Sequence, residues 1–432
     1  MTDDSAFFPP LSRGPRESRE PREPREPPRA PRLAVLAPLL GAVLTVAPTA
    51  SATAAPDPTA TPSATASAAP LLPLIASSLD PDSNTCTTAS PTHVSSVPWA
   101  QLALNLARAN RYTRGDGVLV GVVDTGVAPQ ATGLAGRVRA EGAAATDCVG
   151  HGTFLAGVIA ASAVPGSGFT GVAPEARIVA ARGTDQWGRP SADLVAQGIE
   201  AAVAAGAKVV DVSAALPVGT ARLRTALKHA AVADVLVVAP AAPDTAPESA
   251  SGKTSDPPPA PYWPASSEGV LSVVSVDVDG ERPDGVPQPV EADLAAPGEA
   301  VTGIGPRGTG NYVANGASVA AAYVAGTAAL VRARLPHLSA AQTAARLRAT
   351  AAHASVPLLD PSGALSTVLP SGAPRAASQD GLRLPETAPE SGVVPRAWAL
   401  AGACLLVGVL AAWAMAVGRV RSSRRTGGRK PV

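Results

Sequence analysis

The sequence predicts an α/β protein with a mostly parallel central sheet flanked by helices. Short apolar runs rich in β-branched residues alternate with longer helix-like segments, which is typical of a parallel sheet covered on both faces. The predicted strands are 118–123, 178–181, 209–212, 235–239 and 270–276. The predicted helices are 191–205, 222–233, 318–335 and 339–351. In such a sheet, functional groups collect at the carboxyl ends of the strands.

Each predicted strand is a continuous apolar run rather than an alternation of apolar and polar residues. A continuous run indicates a strand that is buried on both faces, as the strands of a parallel sheet are. The helical segments lie between or after these runs, so each provides a crossover or a covering layer. Together these elements place the folded body of the protein at residues 81–369, including an amino-terminal extension.

The composition excludes several classes of protein. Of the 432 residues, 46% are hydrophobic and 16% are charged, and the net charge of +1 provides no basic field for nucleic acid. Aromatic residues make up 3%, too few for base-stacking platforms. The three cysteines form no Cys-x-x-Cys pair, so a structural zinc site is not expected.

Residues 1–54 are predicted to be a long n-region followed by a signal peptide. Arg32 precedes the apolar run 33–46, and small residues at 50–54 provide Ala-x-Ala-like cleavage sites. An uncleaved membrane anchor is the alternative. Residues 55–80 are mostly Ala, Pro, Ser and Thr, a composition that cannot bury a core, so this segment is predicted to be disordered.

A second apolar segment, 397–418, contains no charged residue and is long enough to span a bilayer as one helix. The basic tail 419–432 follows it, so the positive-inside rule predicts a cytoplasmic carboxyl terminus and an extracytoplasmic protein body. The Pro/Ser-rich segment 370–396 is predicted to link this body to the membrane. The chain is thus expected in the cell membrane as a single-pass protein. A buried core helix is the alternative for 397–418.

Three residues are candidates for catalysis. Asp124 closes an apolar strand, although an Asp that caps a turn is the commoner explanation. His151 stands between two glycines at a predicted helix start, and a lone His is more often structural. Ser318 begins a long apolar helix, where Ser is usually an N-cap but where backbone N–H groups also face an oxyanion. In combination they are more specific, because the order Asp, His, Ser is one of the chain orders of serine hydrolases.

The stretches around these residues resemble the active-site signatures of subtilisin-like serine proteases. They are Val-Val-Asp-Thr-Gly at 122–126, His-Gly-Thr at 151–153 and Gly-Ala-Ser-Val-Ala-Ala at 316–321, and the stretch 292–298 is also similar to a family segment. A narrower resemblance is to the mycosins, membrane-anchored subtilases of type VII secretion systems. It is carried by the stretches 97–101, 147–151 and 323–330 and by the order signal peptide, protease domain, stalk and membrane helix.

The resemblance implies a subtilisin-like fold and a serine endopeptidase that acts on protein or peptide substrates without a metal or cofactor. Ser318 would be the nucleophile, His151 the general base and Asp124 the residue that orients the imidazole. A type VII secretion membrane complex is the expected partner. The extracytoplasmic location further predicts a disulfide between Cys86 and Cys148, with two free thiols as the alternative. No activation by propeptide removal is expected.

The sequence departs from the family pattern at the oxyanion hole. Besides the Ser318 backbone N–H, the resemblance implies an Asn donor where this chain has Pro243 or, with a shift of one residue, Asp244. Pro has no side-chain donor, and a carboxylate must be protonated to donate. Other departures are Ala214 and Ala215 in the substrate-binding wall, Asp211 where Asn is common, and Ala317 and Ala322 beside the nucleophile. A catalytically impaired pseudoprotease that serves as a structural or binding component is therefore the alternative function.

Overall fold

A sheet of seven parallel strands forms the centre of the protein. The computed structural model describes residues 71–83, 85–245 and 259–369 and part of a helix between 405 and 415. The strands of the described residues are β1 (Leu74–Ile75), β2 (Leu119–Asp124), β3 (Val138–Arg139), β4 (Arg177–Arg182), β5 (Val209–Val212), β6 (Leu236–Pro240), β7 (Leu271–Val276), β8 (Leu294–Pro297), β9 (Val301–Ile304) and β10 (Asn311–Ala314). The helices in the described ranges 71–83, 85–245 and 259–369 are α1 (Trp99–Ala103), α2 (Leu106–Ala109), α3 (His151–Ala160), α4 (Ala192–Ala204), α5 (Ala221–Val232), α6 (Ala317–Arg334), α7 (Ala340–Thr350) and α8 (Pro361–Ser366).

The strand order of the central sheet has a switch point between β2 and β5. The order is β3-β4-β2-β5-β6-β7-β8, so the chain builds one side of the sheet after β2 and then crosses to build the other side from β5 onward. In open parallel sheets, ligands bind outside the carboxyl ends of the strands at such a switch point. Asp124, the last residue of β2, stands at this position.

Two helical layers cover the sheet. On one face, α3 and α6 pack against each other and form the larger core with side chains such as Phe154 and Tyr323. On the other face, α4 and α5 form a second core that includes Ile199 and Leu223. Helix α6 is buried from Ala317 through Arg332, which explains why its sequence is apolar on all sides and why Ser318 lies inside the protein.

The amino-terminal extension differs from the prediction for 55–80. Residues 71–80 include strand β1, which pairs in parallel with β10 and completes a smaller sheet of β1, β10 and β9. Disorder was expected from the Ala/Pro/Ser/Thr composition, but Ile75 is buried and supplies the apolar contact that the rest of the segment lacks. The backbone N–H of Leu79 also bonds to the carbonyl of Trp187. The extension is therefore part of the folded body from residue 71 onward.

All five predicted strands and all four predicted helices are present, with ends that coincide with the prediction or differ from it by one residue. The proposed signal peptide, 1–54, and the linker, 370–396, lie outside the described residues, as does the tail 419–432. Most of the segment 397–418 also lies outside them. Within the described part of the chain, no helix has both the length and the apolar character needed to cross a membrane.

Candidate active site

Three different elements bring Asp124, His151 and Ser318 together at the carboxyl edge of the sheet. Asp124 ends β2, His151 is the first residue of α3, and Ser318 is the second residue of α6, after the N-cap Gly316. All three are almost fully buried, with exposures of 1%, 2% and 0%. Ser318 is thus not an N-cap, the commoner role of a Ser at a helix start, but presents its hydroxyl to the crevice side of the helix.

The three side chains form a hydrogen-bonded row. His151 Nδ1 lies 2.6 Å from Asp124 Oδ2, and His151 Nε2 lies 3.1 Å from Ser318 Oγ. Burial disfavours a charged imidazole, but the carboxylates of Asp124, Asp244 and Asp147 outweigh it and raise the pKa of His151 to about 9. The geometry is that of a nucleophile, a base and an orienting carboxylate.

A second carboxylate, Asp147, fixes the start of α3. Its Oδ1 accepts hydrogen bonds from the Thr125 hydroxyl at 2.9 Å and the Gly150 N–H at 2.7 Å. Its Oδ2 accepts from the Thr153 N–H at 2.9 Å and the Thr153 hydroxyl at 2.6 Å. Burial raises the pKa of Asp147 despite these four donors. Thr125, in turn, accepts from the Gly152 N–H at 2.9 Å, so the residue after Asp124 is tied to the residue after His151.

Gly152 is required by this close packing. A Cβ at this position would lie 2.1 Å from the carbonyl oxygen of Gly126, which no side chain permits. The glycine after His151 therefore lets α3 start directly against the turn that follows β2. This contact sets the short distance between the Asp124 carboxyl and the imidazole.

Asp244 lies directly against Ser318. Its Oδ1 accepts a hydrogen bond from the Ser318 backbone N–H at 2.9 Å, and its Oδ2 is 2.7 Å from Ser318 Oγ and 3.7 Å from His151 Nε2. Burial raises the pKa of Asp244, although His151 and the two Ser318 hydrogen bonds act in the opposite direction. Gly316 makes room for this carboxyl group, because a Cβ there would lie 2.2 Å from Asp244 Cγ.

A cavity of about 210 Å³ opens beside these residues. Its lining includes Asp124, His151 and Asp244, together with the wall residues Ala214 and Ala215. Ser318 is not part of the lining; it is fully buried, and its hydroxyl lies 2.7 Å from the carboxyl group of Asp244, which does line the cavity. The amino-terminal extension contributes residues 77 and 78 to the same cavity.

Cys86 and Cys148 form the predicted disulfide. Their Cα atoms are 4.7 Å apart, and the neighbouring Thr87 N–H donates to the Cys148 carbonyl at 2.9 Å. The bridge therefore joins the amino-terminal extension to the loop that leads into His151.

Comparison with known proteins identifies the group to which this arrangement belongs. The Peptidase_S8 model, described as the Subtilase family, matches residues 115–379, more than half of the chain and all three residues of the row. The chain belongs to the subtilase family. It is accordingly a serine-type endopeptidase by family, and its fold is the subtilisin-like fold that the sequence predicts.

Among its relatives are several mycosins. The chain is 34% identical over 382 residues to Mycosin-3 of Mycobacterium tuberculosis, which covers 72% of this chain and 82% of that protein. It is 29% identical over 390 residues to Mycosin-1 of Mycolicibacterium smegmatis, covering 76% of this chain and 85% of that protein. It is also 34% identical over 243 residues to Subtilisin DY of Bacillus licheniformis, covering 55% and 85% respectively.

Solved structures show the same similarity. The crystal structure of MycP1 from Mycobacterium smegmatis matches with a TM-score of 0.58 and 29% identity, covering 67% of this chain and 90% of that chain. A chain of the periplasmic assembly from the ESX-5 inner membrane complex matches with a TM-score of 0.58 and 27% identity, covering 71% of this subtilase and 92% of that chain. This subtilase is therefore of the mycosin type.

Of the two residues predicted at the place of the subtilase Asn, the structure brings Asp244 to Ser318. Pro243 lines the cavity instead, and it has no N–H or side-chain donor to offer. Sequence reasoning did not assign a role to Asp147. Its signal is an acidic residue just before a glycine-flanked helix start, where free backbone N–H groups need an acceptor.

Asp211 is the second unusual carboxyl group near the row. It lies on β5 opposite Val122 and Val238, is fully buried, and has no hydrogen-bond partner for either carboxyl oxygen among the described residues. Burial, reinforced by the Asp124 charge, raises its pKa well above the usual value. Burial therefore favours the neutral form of the Asp211 carboxyl group.

Proposed function

We propose that this subtilase is a membrane-anchored, extracytoplasmic endopeptidase in which Asp124, His151 and Ser318 are the catalytic triad. The observation that carries this proposal is the continuous row of hydrogen bonds from the Asp124 carboxyl through both ring nitrogens of His151 to Ser318 Oγ. The row connects three segments that lie far apart in the chain. Folding alone does not require such an alignment, whereas nucleophilic catalysis does.

In the proposed reaction, Ser318 Oγ attacks the carbonyl carbon of a peptide bond while His151 Nε2 accepts the hydroxyl proton. The imidazolium then donates that proton to the leaving amine, and a water molecule releases the acyl group by the same steps. Asp124 holds the tautomer with the proton on Nδ1 and stabilises the charged ring. The Ser318 backbone N–H, at the start of α6, supports the negative charge on the carbonyl oxygen.

The proposed location rests on the two apolar segments. The stretch 397–418 has no charged residue and precedes a basic tail. The described residues within this stretch are helical. Large apolar side chains are exposed on them, including Leu405, Leu410 and Trp413, as expected of a helix that contacts lipid. The disulfide supports an oxidising compartment for the protein body.

Similarity to mycosins supports a role beside a type VII secretion membrane complex. The matching chains of the ESX-5 inner membrane complex belong to such an assembly, and their coverage includes most of the folded body of this subtilase. We propose that the natural substrates are proteins that pass through, or belong to, a complex of this kind.

A catalytically impaired pseudoprotease is the second candidate, and one observation favours it. Asp244 lies on the side of Ser318 where the negatively charged oxygen of the reaction intermediate would form, here called the oxyanion side. It accepts a hydrogen bond from the Ser318 backbone N–H, the group that should stabilise that oxygen. In this case the fold would act as a binding or structural component of the complex. The two candidates differ in whether Ser318 reacts.

Labelling with a fluorophosphonate separates the candidates without knowledge of the substrate. The detergent-solubilised full-length protein is expected to be labelled, and Ser318→Ala is expected to abolish labelling. Asp124→Asn is expected to slow it by roughly 10⁴-fold, the effect of the equivalent change in trypsin. A folded wild-type protein that shows no labelling at any pH would support the pseudoprotease instead.

A further inference from the structure

The hydrogen bonds at Ser318 run in the direction opposite to catalysis. Ser318 Oγ lies 2.7 Å from Asp244 Oδ2 and 3.1 Å from His151 Nε2. A hydroxyl has one proton to donate, and an ionised Asp244 can only accept. The Ser318 hydroxyl therefore donates a hydrogen bond to Asp244 Oδ2. Ser318 Oγ in turn accepts a hydrogen bond from the Nε2–H group of the His151 imidazole. Attack requires the reverse, with the hydroxyl donating to His151.

The surrounding charges favour this resting arrangement. Asp124 and Asp244 face opposite ring nitrogens of His151 at 2.6 Å and 3.7 Å, so the imidazolium is held between two carboxylates. Asp147 adds a third negative charge, which also contributes to the raised pKa of His151. The hydrogen bonds of Ser318 Oγ therefore connect His151 to Asp244 and provide a path for one proton between them.

We propose that Asp244 is itself a catalytic acid, an inference that rests on the proposed function. A substrate carbonyl that enters the oxyanion side of Ser318 moves one proton along the existing hydrogen bonds. The His151 Nε2–H bond breaks and a new Oγ–H bond forms on Ser318, while the original hydroxyl proton of Ser318 passes to Asp244 Oδ2. The products are a neutral imidazole, an intact serine hydroxyl and a neutral carboxylic acid, so the total number of protons and the net charge are unchanged.

This relay converts the resting site into the reactive one in a single event. Neutral His151 can now accept the hydroxyl proton from Ser318, and the protonated Asp244 can donate to the developing oxyanion, as the Asn of other subtilases does. The substrate drives the change because its carbonyl oxygen is repelled by a carboxylate and attracted by an O–H donor. The same carbonyl takes over the Ser318 backbone N–H that Asp244 holds at 2.9 Å in the resting state.

The pH dependence of the reaction follows from the shared proton. At low pH both groups are protonated, and His151 cannot act as a base. At high pH both are deprotonated, and the Asp244 carboxylate repels the oxyanion, so activity falls about tenfold per pH unit on each side. Glu299 and Asp284 line a cavity together with Asp244, and burial, followed by the Asp244 charge, raises the pKa of Glu299; Arg189 lines the cavity next to His151. These groups take no part in the proton relay. They shift the acidic and alkaline limbs of the pH–rate profile without removing either limb.

The experiment measures the rate of fluorophosphonate labelling of the full-length protein from about pH 5 to about pH 10.5. Asp244→Asn retains a donor but cannot ionise, and Asp244→Ala has neither a donor nor a charge. Glu299→Gln removes a neighbouring carboxylate outside the relay and is the matched control. Circular dichroism of each variant establishes that it is folded.

The expected wild-type profile is bell-shaped, and Glu299→Gln keeps that shape. Asp244→Asn is expected to lose the alkaline limb, and Asp244→Ala is expected to react roughly 100-fold more slowly than Asp244→Asn, the scale known for an oxyanion donor in subtilisin. If Asp244→Ala is labelled as fast as Asp244→Asn or faster, Asp244 only blocks the site and the relay is wrong. A wild-type labelling rate that stays high at alkaline pH would also overturn the relay. If neither the wild type nor the folded Asp244→Asn variant is labelled at any pH, the proposed function itself fails. If Asp244→Asn is labelled and the wild type is not, the triad is competent but the relay does not occur.

Discussion

Asp147 is expected to stabilise the start of α3 more than any exposed acidic residue can stabilise its surroundings. Each of its two carboxyl oxygens accepts two hydrogen bonds, and all four contacts are donors. In Asp147→Asn the amide nitrogen must replace one of the oxygens. It then faces a buried backbone N–H, of Gly150 in one orientation and of Thr153 in the other, whereas a threonine hydroxyl can rotate and accept. One buried N–H is left without an acceptor, which costs about 1–3 kcal/mol.

Urea unfolding of the full-length protein in detergent measures this cost. With an m-value of about 2.5 kcal/mol/M, the midpoint of Asp147→Asn is expected to fall by ~0.4–1.2 M. Asp147→Ala leaves all four donors without their acceptor and is expected to lose more. Asp116→Asn, at an exposed position, is the matched control and should stay within about 0.2 M of the wild type. An Asp147→Asn midpoint equal to that of the control would refute the reasoning, because the four donors would then contribute nothing.

Three further predictions concern stability. The double variant Cys86→Ser/Cys148→Ser opens a loop with a sequence separation of 62 residues, so it should unfold with a free energy lower by about 4 kcal/mol, or a Tm lower by ~8–16 °C; a shift below ~3 °C would contradict this. Asp211→Asn should raise the Tm, and the gain should grow as the pH rises from about 4 to about 8. Because the pKa of Asp211 is raised in the folded state, the wild type loses stability as the pH rises above the ordinary pKa of Asp. Asn does not titrate, so the variant does not lose this stability. A gain in Tm that is independent of pH would contradict the prediction. Deletion of residues 71–90 should lower the Tm, because it removes both the pairing of β1 with β10 and the Cys86–Cys148 disulfide. It should not increase fluorophosphonate labelling; faster labelling would identify the segment as an inhibitory propeptide.

The strands, the covering helices and the hydrogen-bonded row could be predicted because each has a local signal. Val118–Val123 is a continuous apolar run, and a run of this kind has few alternatives to a buried parallel strand. Asp124, His151 and Ser318 each stand at an element end, and parallel topology brings such ends to one edge. Their chain order and flanking glycines then distinguish a serine hydrolase from three unrelated polar residues.

The contacts of the other acidic residues could not be predicted, since they depend on distances between distant segments. Whether Pro243 or Asp244 meets Ser318 is decided by how β6 ends beside α6, and the sequence left both possibilities open. Strand β1 was missed for a related reason. Its two residues have no periodicity, and its stability comes from pairing with β10, which lies far along the chain.

Four acidic residues, Asp124, Asp147, Asp211 and Asp244, surround one histidine, and their contacts assign them different protonation states. Asp147 accepts four hydrogen bonds, which favour its ionised form, while Asp211 has no hydrogen-bond partner among the described residues, which favours its neutral form. Asp124 pairs with the imidazole at 2.6 Å and balances its positive charge. Asp244 differs from these three, because its partner at Oδ2 is a hydroxyl, which can donate to a carboxylate or accept from a carboxylic acid equally well. A group whose hydrogen bonds fit both states can change its charge without losing a contact, and Asp244 has this property next to Ser318.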